Sequence, residues 1–226
     1  MDKEQIQSAL AKAKDNSKQR KFKQTYDLII NLKGLDPKKQ EHQIDLFVAL
    51  PHSRGRKVKV CALVGAELEE QAKNVCDSVI MSDGFDRHKD KKDVKKIANS
   101  YDFFIAQANI MPKVATAFGR VFGPRGKMPN PKSGCVVPPN ANLRPLYEKL
   151  QRTIRANVKS APLIQCAIGS EDMNSDEIAE NALTVYSSLL QALPNEKHNI
   201  KDIYVKLTMG KPVKVGEKLE VTKEVR

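Results

Sequence analysis

Between residues 58 and 122 the sequence alternates short apolar runs with stretches of helical periodicity, and this alternation limits the possible folds more than any other feature. Residues 58–64, 78–81 and 102–106 read as strands, and 67–75, 91–99 and 112–122 as helices, the last with Pro112 in its first turn. Strands separated by helices of about ten residues cannot pair as hairpins. They are predicted to lie parallel, with helices on both faces, as a Rossmann-like sheet.

The flanking sequence follows another rule. Residues 2–16 predict a helix with Ile6, Leu10 and Ala13 on one stripe. Tyr26, Leu28, Ile30 and Leu32 alternate as one face of a strand, residues 33–37 turn the chain, and a second strand over 44–50 stops at Pro51. These two strands are expected to form an antiparallel pair around a basic loop. Further on, 143–154 predicts a helix and 158–168 strand material broken at Ala161-Pro162. Asn174, with Glu177 three residues later, opens a long helix with Ile178, Ala182, Val185 and Leu189 on one stripe, ended by Pro194. Residues 200–214 close the chain as a last strand. Neither flank can bury its apolar face alone. The expected fold is an α+β two-layer split domain built from residues 1–54 and 155–226, with an inserted α/β Rossmann-like domain over 55–154.

Charge narrows the partner. Thirty-nine Lys and Arg against 27 Asp and Glu give a net charge of +12, which suits a polyanion. A membrane surface fits poorly, because no helix sets a basic face against Trp, Phe and Leu and the chain contains no Trp. The start, MDKEQIQSAL, has no apolar signal core. Cys61, Cys76, Cys135 and Cys166 form no CxxC pair and read as small buried hydrophobes in a reducing cytosol. His42, His52, His88 and His198 stand apart, with no HExxH, so neither a metal nor another cofactor is expected.

Two stretches point to a nucleic-acid surface. In IKDIYVKLTMGKPVK, residues 200–214, the alternation of Ile203, Val205 and Leu207 with Tyr204, Lys206 and Thr208 stops at Thr208-Met209-Gly210, before Lys211-Pro212. A hydroxyl, a flexible thioether and a residue without a Cβ, rimmed by cations, suit close approach of a base or backbone; they also suit an ordinary strand exit. Upstream, 18–39 carries seven Lys and Arg against two Asp, and Phe22 stands alone among Lys18, Arg20, Lys21 and Lys23. An aromatic framed by cations stacks on unpaired bases, or else Phe22 anchors the strand that follows. The run Lys89–Lys96 reads as a solvated helix face. The loop 123–134 holds three Gly, three Pro and three cations but no phosphate-loop motif, since Met128 follows Lys127 and Val121 stands where the first Gly belongs.

With KFKQTYDLIINLKGLD at 21–36, LPHSRGRKVKV at 50–60, IMPKVATAFGRVFGPRGKMPNPKSG at 110–134 and YVKLTMGKPVKV at 204–215, nearly the whole chain resembles the ribosomal protein L1 family in its archaeal or eukaryotic-like form. The resemblance implies a non-enzymatic protein, monomeric when free, that sits on the ribosome in the cytoplasm and binds the L1 stalk of large-subunit ribosomal RNA through the split domain. It also implies repression of the chain's own messenger RNA and, through the stalk, association with exit-site transfer RNA as it is released. The family's RNA-contacting residues match Thr208, Met209 and Gly210, and its aromatic and hydroxyl match Phe22 and Thr25, with Lys21 beside them; Lys21, Lys206 and Lys211 would neutralise phosphates. Asn157, Lys159, Ser160 and Gln165 match across a limb that departs from the bacterial pattern by one residue. Two other readings are a nucleotide enzyme using Asp83, Asp86 and His88, and a messenger-RNA regulator acting off the ribosome.

Overall fold

The computed structural model describes residues 1–35, 43–88, 90–158 and 161–216, and of 86–88 the backbone alone. It is a mixed α/β structure with antiparallel and parallel sheets that divides into two compact units, residues 1–56 with 152–226 and residues 57–151. Lys159 and Ser160 lie outside the described residues.

The first unit is organised by β1 (Thr25–Leu32), whose even-numbered side chains Tyr26, Leu28, Ile30 and Leu32 are all buried. Both of its edges are taken by distant strands. On one side lies β8 (Leu163–Ser170) and on the other β9 (Ile200–Leu207), each antiparallel, with the two-residue β10 (Val213–Lys214) beyond β9. Helices α1 (Lys3–Asp15) and α6 (Ser175–Ala192) join the same core, with Ile6 and Leu10 meeting Ile178, Ala182, Val185 and Leu189. Asn174 caps α6 by accepting from the Asp176 N–H.

The expected hairpin does not form. β2 (Asp45–Ala49) pairs with β7 (Thr153–Asn157) in a separate two-stranded sheet, because both hydrogen-bonding edges of β1 are already filled. A bidentate Arg155–Asp45 pair, at 2.7 and 2.8 Å, crosses this sheet. The strand β7 also corrects the helix expected over 143–154, which ends at Arg152. Ile154 continues the helical spacing, but β-branched Thr153 and Ile154 favour a strand once β2 offers a partner. The last strand likewise breaks at the turn after Leu207.

The chain leaves β2 through a clamped segment. Buried Asn181 accepts from the His52 N–H at 3.1 Å and donates to the carbonyls of Ser53 and Ile168, and His52 Nε2 lies 2.7 Å from Glu180. Gly55 takes φ +77 against Ser170, where an added Cβ would lie 2.2 Å from the serine Cβ.

In the second unit, β3 (Val60–Val64), β4 (Ser78–Met81), β5 (Phe103–Gln107) and β6 (Val136–Val137) lie parallel in the order β4-β3-β5-β6. Every β3 residue is buried, as in a sheet covered on both faces. Cys61 and Leu63 pack with α3 (Lys91–Ser100) and α4 (Met111–Arg125), where Phe85, Phe104, Phe118 and Phe122 pack together. Val60, Ala62 and Val64 face α2 (Glu69–Val75) and α5 (Leu143–Arg152). Helix α4 runs three residues into the expected loop before Gly126, at φ +65, ends it. Lys127 Nζ then donates to the carbonyls of Ala98 and Tyr101, both at 2.6 Å, so this Gly-Lys pair caps α3 rather than cradling a phosphate. No helix among the described residues is long and apolar enough to cross a membrane.

Candidate nucleic-acid interface

Antiparallel pairing brings the start of β1 against the end of β9, with Tyr26 opposite Leu207 and Asp27 opposite Lys206. This register joins the two stretches singled out in the sequence. The Thr25 N–H donates to Thr208 Oγ1 at 3.0 Å, and the two threonine hydroxyls share a further hydrogen bond at 3.0 Å. The turn after β9 closes as the Gly210 N–H donates to the Leu207 carbonyl at 2.9 Å. A Cβ on Gly210 would approach that of Leu207 to 3.3 Å, so the turn itself accounts for this glycine.

Phe22 is 51% exposed and Met209 60% exposed, and with Leu163 they are the exposed large apolar side chains among the described residues. The anchoring of β1 falls to its four buried side chains, whereas the Phe22 ring stays outside the core.

Lys21 and Lys211 are exposed and Lys206 half-buried. Lys23 and Lys214 are engaged internally, Lys23 with Asp172 at 2.5 Å and Lys214 with Asp202 at 2.7 Å. The Asp172 carboxylate raises the Lys23 pKa. Asp27 stands on the open face of the sheet, and burial pushes its carboxyl above the ordinary range despite a hydrogen bond from Gln165 and the charge of Lys206.

Gln165 lies on β8 opposite Ile29, within reach of Asp27, and so adjoins the cluster. Asn157 closes β7 opposite Asp45 in the other sheet. The sequence reading missed two contributors. Asp27 is signalled by its place on the open phase of β1, and Gln24 by the opposite phase, which puts a polar side chain at 1% exposure where the strand pattern calls for an apolar one. Gln24 Oε1 accepts from the Met209 N–H at 3.1 Å.

An open parallel sheet takes ligands where its strand order reverses, here between the carboxyl ends of β3 and β5. That position is filled from within. Gln107, 1% exposed, accepts from the Gly65 N–H at 2.9 Å and donates to Glu67 at 2.7 Å. Asp83 is hydrogen-bonded to Ser82, and the side chains of Asp86 and His88 lie outside the described residues.

The geometry therefore defines a mixed α/β protein that gathers exposed apolar side chains and lysines at one strand end, while Gln107 occupies the strand-order reversal among the described residues. The sequence pattern of the ribosomal protein L1p/L10e family matches residues 11–211, and the chain belongs to this family, as its motifs suggested. It is 41% identical over 216 residues to the large ribosomal subunit protein uL1 of Methanothermococcus thermolithotrophicus, covering 95% of this chain and 99% of that one. The uL1 protein of Nanoarchaeum equitans is 43% identical over 202 residues, covering 88% and 93%, and that of Thermococcus kodakarensis 38% over 216 residues, covering 95% and 98%. These relatives carry the name of a large ribosomal subunit protein.

Proposed function

We propose that the chain is a component of the large ribosomal subunit that binds the stalk segment of large-subunit ribosomal RNA through the surface formed by Lys21, Phe22, Thr25, Lys206, Thr208, Met209, Gly210 and Lys211, with Gln165 at its edge. One observation carries the reading: two exposed apolar side chains, Phe22 and Met209, flank the hydrogen-bonded Thr25–Thr208 hydroxyl pair, with exposed Lys21 and Lys211 close in sequence. Lysines neutralise phosphates and set the salt-dependent part of affinity. Hydroxyls and turn amides address 2′-hydroxyls and backbone, and the aromatic and thioether cover a base or sugar.

On this reading residues 57–151 are an insertion into the RNA-binding domain. Interleaving supports it, since β1 from one end of the chain is flanked by β8 and β9 from the other. A surface that recognises shape rather than long sequence accepts any RNA presenting the same fold. The family resemblance adds the chain's own messenger RNA as a second target, through which it represses its translation. The stalk then places the protein beside transfer RNA leaving the exit site, on cytoplasmic ribosomes.

Crosslinking in cells followed by sequencing of the bound RNA tests this. Reads should concentrate in the stalk segment, with a minor peak in the chain's own messenger RNA. Reads dominated by unrelated messages, with the stalk absent, would overturn the ribosomal reading.

A further inference from the structure

Gln24 is a buried amide with every polar atom used, at the point where the parts of the candidate surface meet. Its Oε1 accepts from the Met209 N–H at 3.1 Å, and its Nε2 donates to Ser17 Oγ at 3.2 Å, just beyond α1. Its main-chain N–H donates to Glu171 Oε2 at 3.3 Å and its carbonyl accepts from the Glu171 N–H at 2.9 Å, just beyond β8. The neighbouring Lys23 side chain adds a surface ion pair with Asp172.

Phe22 therefore lies two residues before a backbone pinned at Gln24, while the Met209 N–H is held by the Gln24 side chain itself. Neither side chain belongs to the core, so packing does not fix their separation. A turn left loose in the free protein must be ordered when ligand arrives, and that ordering subtracts from affinity.

We propose that Gln24 is a positioning residue for RNA binding, which sets the Thr208-Met209-Gly210 turn against the Phe22 arm so that both meet the RNA as one preformed surface. The proposal rests on the RNA reading above and adds to it a residue that never touches the ligand.

The test uses the full chain, a transcript of the stalk segment and an unrelated hairpin of equal length. Gln24→Met keeps the volume but offers neither acceptor nor donor. Gln24→Glu keeps the acceptor for Met209 and lets the Ser17 hydroxyl donate instead. Gln24→Met should weaken stalk binding about tenfold, chiefly through faster dissociation, with hairpin binding unchanged. The Met209 methyl carbon resonance should shift or broaden in the same protein. Gln24→Glu should recover affinity by about threefold or more, and Ser17→Ala, a milder loosening that serves should Gln24→Met fail to fold, should weaken stalk binding by about two- to threefold.

Met209→Ala, measured alongside, reports on the RNA reading separately. If Met209→Ala loses affinity while folded Gln24→Met and Ser17→Ala bind like the parent with an unchanged Met209 signal, the positioning role is wrong and the surface stands. If the Gln24 variants lose stalk and hairpin binding in step with their melting temperatures, Gln24 serves the fold alone and the proposal fails. If Met209→Ala binds like the parent, the RNA reading fails and takes the proposal with it.

Discussion

Phe22→Leu separates a stacking surface from a merely well-packed loop. Complete burial of a phenylalanine stabilises by about 1.5–3 kcal/mol, but this ring is 51% exposed and lies outside the core cluster. Leucine retains part of the remaining contact, so the expected stability loss is below about 1 kcal/mol, a fall in Tm of less than about 4 °C for a chain of this size. Loss of an aromatic platform should remove about 1–3 kcal/mol of RNA affinity, or about 5- to 150-fold. Thermal unfolding and titration with stalk RNA on one sample read both quantities. A mutant that melts several degrees early yet binds like the parent would refute the stacking role and return Phe22 to strand anchoring.

Four other perturbations follow. Thr208→Val removes the acceptor for the Thr25 N–H and its hydroxyl partner; it should lower stability by about 1 kcal/mol and stalk affinity by about 1–3 kcal/mol, whereas Lys211→Ala should weaken all RNAs alike and flatten the salt dependence by about one counterion. Unchanged stalk affinity in Thr208→Val would remove the turn from the site. Because burial raises the folded-state pKa of Asp27, the wild type loses stability as pH rises from the ordinary aspartate value through the raised one and carries a constant penalty above it. Asp27→Asn should therefore be more stable at neutral pH, with the difference vanishing below the ordinary carboxylate range; denaturant titrations across acid and neutral pH check this, and a pH-independent difference would contradict it. Gly55→Ala should lower stability by about 2–4 kcal/mol in denaturant unfolding, since the left-handed backbone and the Ser170 backbone both oppose a Cβ, and a loss below about 1 kcal/mol would show that the segment is not held there.

Much of this architecture was legible because burial leaves periodic traces. The alternation of β1 appears wherever one strand face is packed, and the uninterrupted apolar run of β3 wherever both are. Partnership leaves no such trace. Thr25 and Thr208 are 183 residues apart, and local signals cannot show that β1 is flanked by β8 and β9 while β2 waits for β7. The same limit hid the end of α5, where Ile154 satisfies helical spacing and a distant strand decides otherwise.

At the candidate surface, the break in alternation at Thr208-Met209-Gly210 and the isolation of Phe22 were visible as departures from packing patterns. Gln24 was not, because its importance lies in bonds to Ser17, Glu171 and Met209, which come from three different elements. A polar residue in the buried phase of a strand is the trace it does leave.

On this proposal, specific RNA binding resides where β1 begins and β9 ends. Ultraviolet crosslinking of the full chain to stalk RNA, followed by mapping of the modified peptides, tests it most directly. Crosslinks are expected on the peptides carrying Phe22 and Met209, competed by unlabelled stalk RNA and not by an unrelated hairpin. Competable crosslinks confined to residues 57–151 would contradict it.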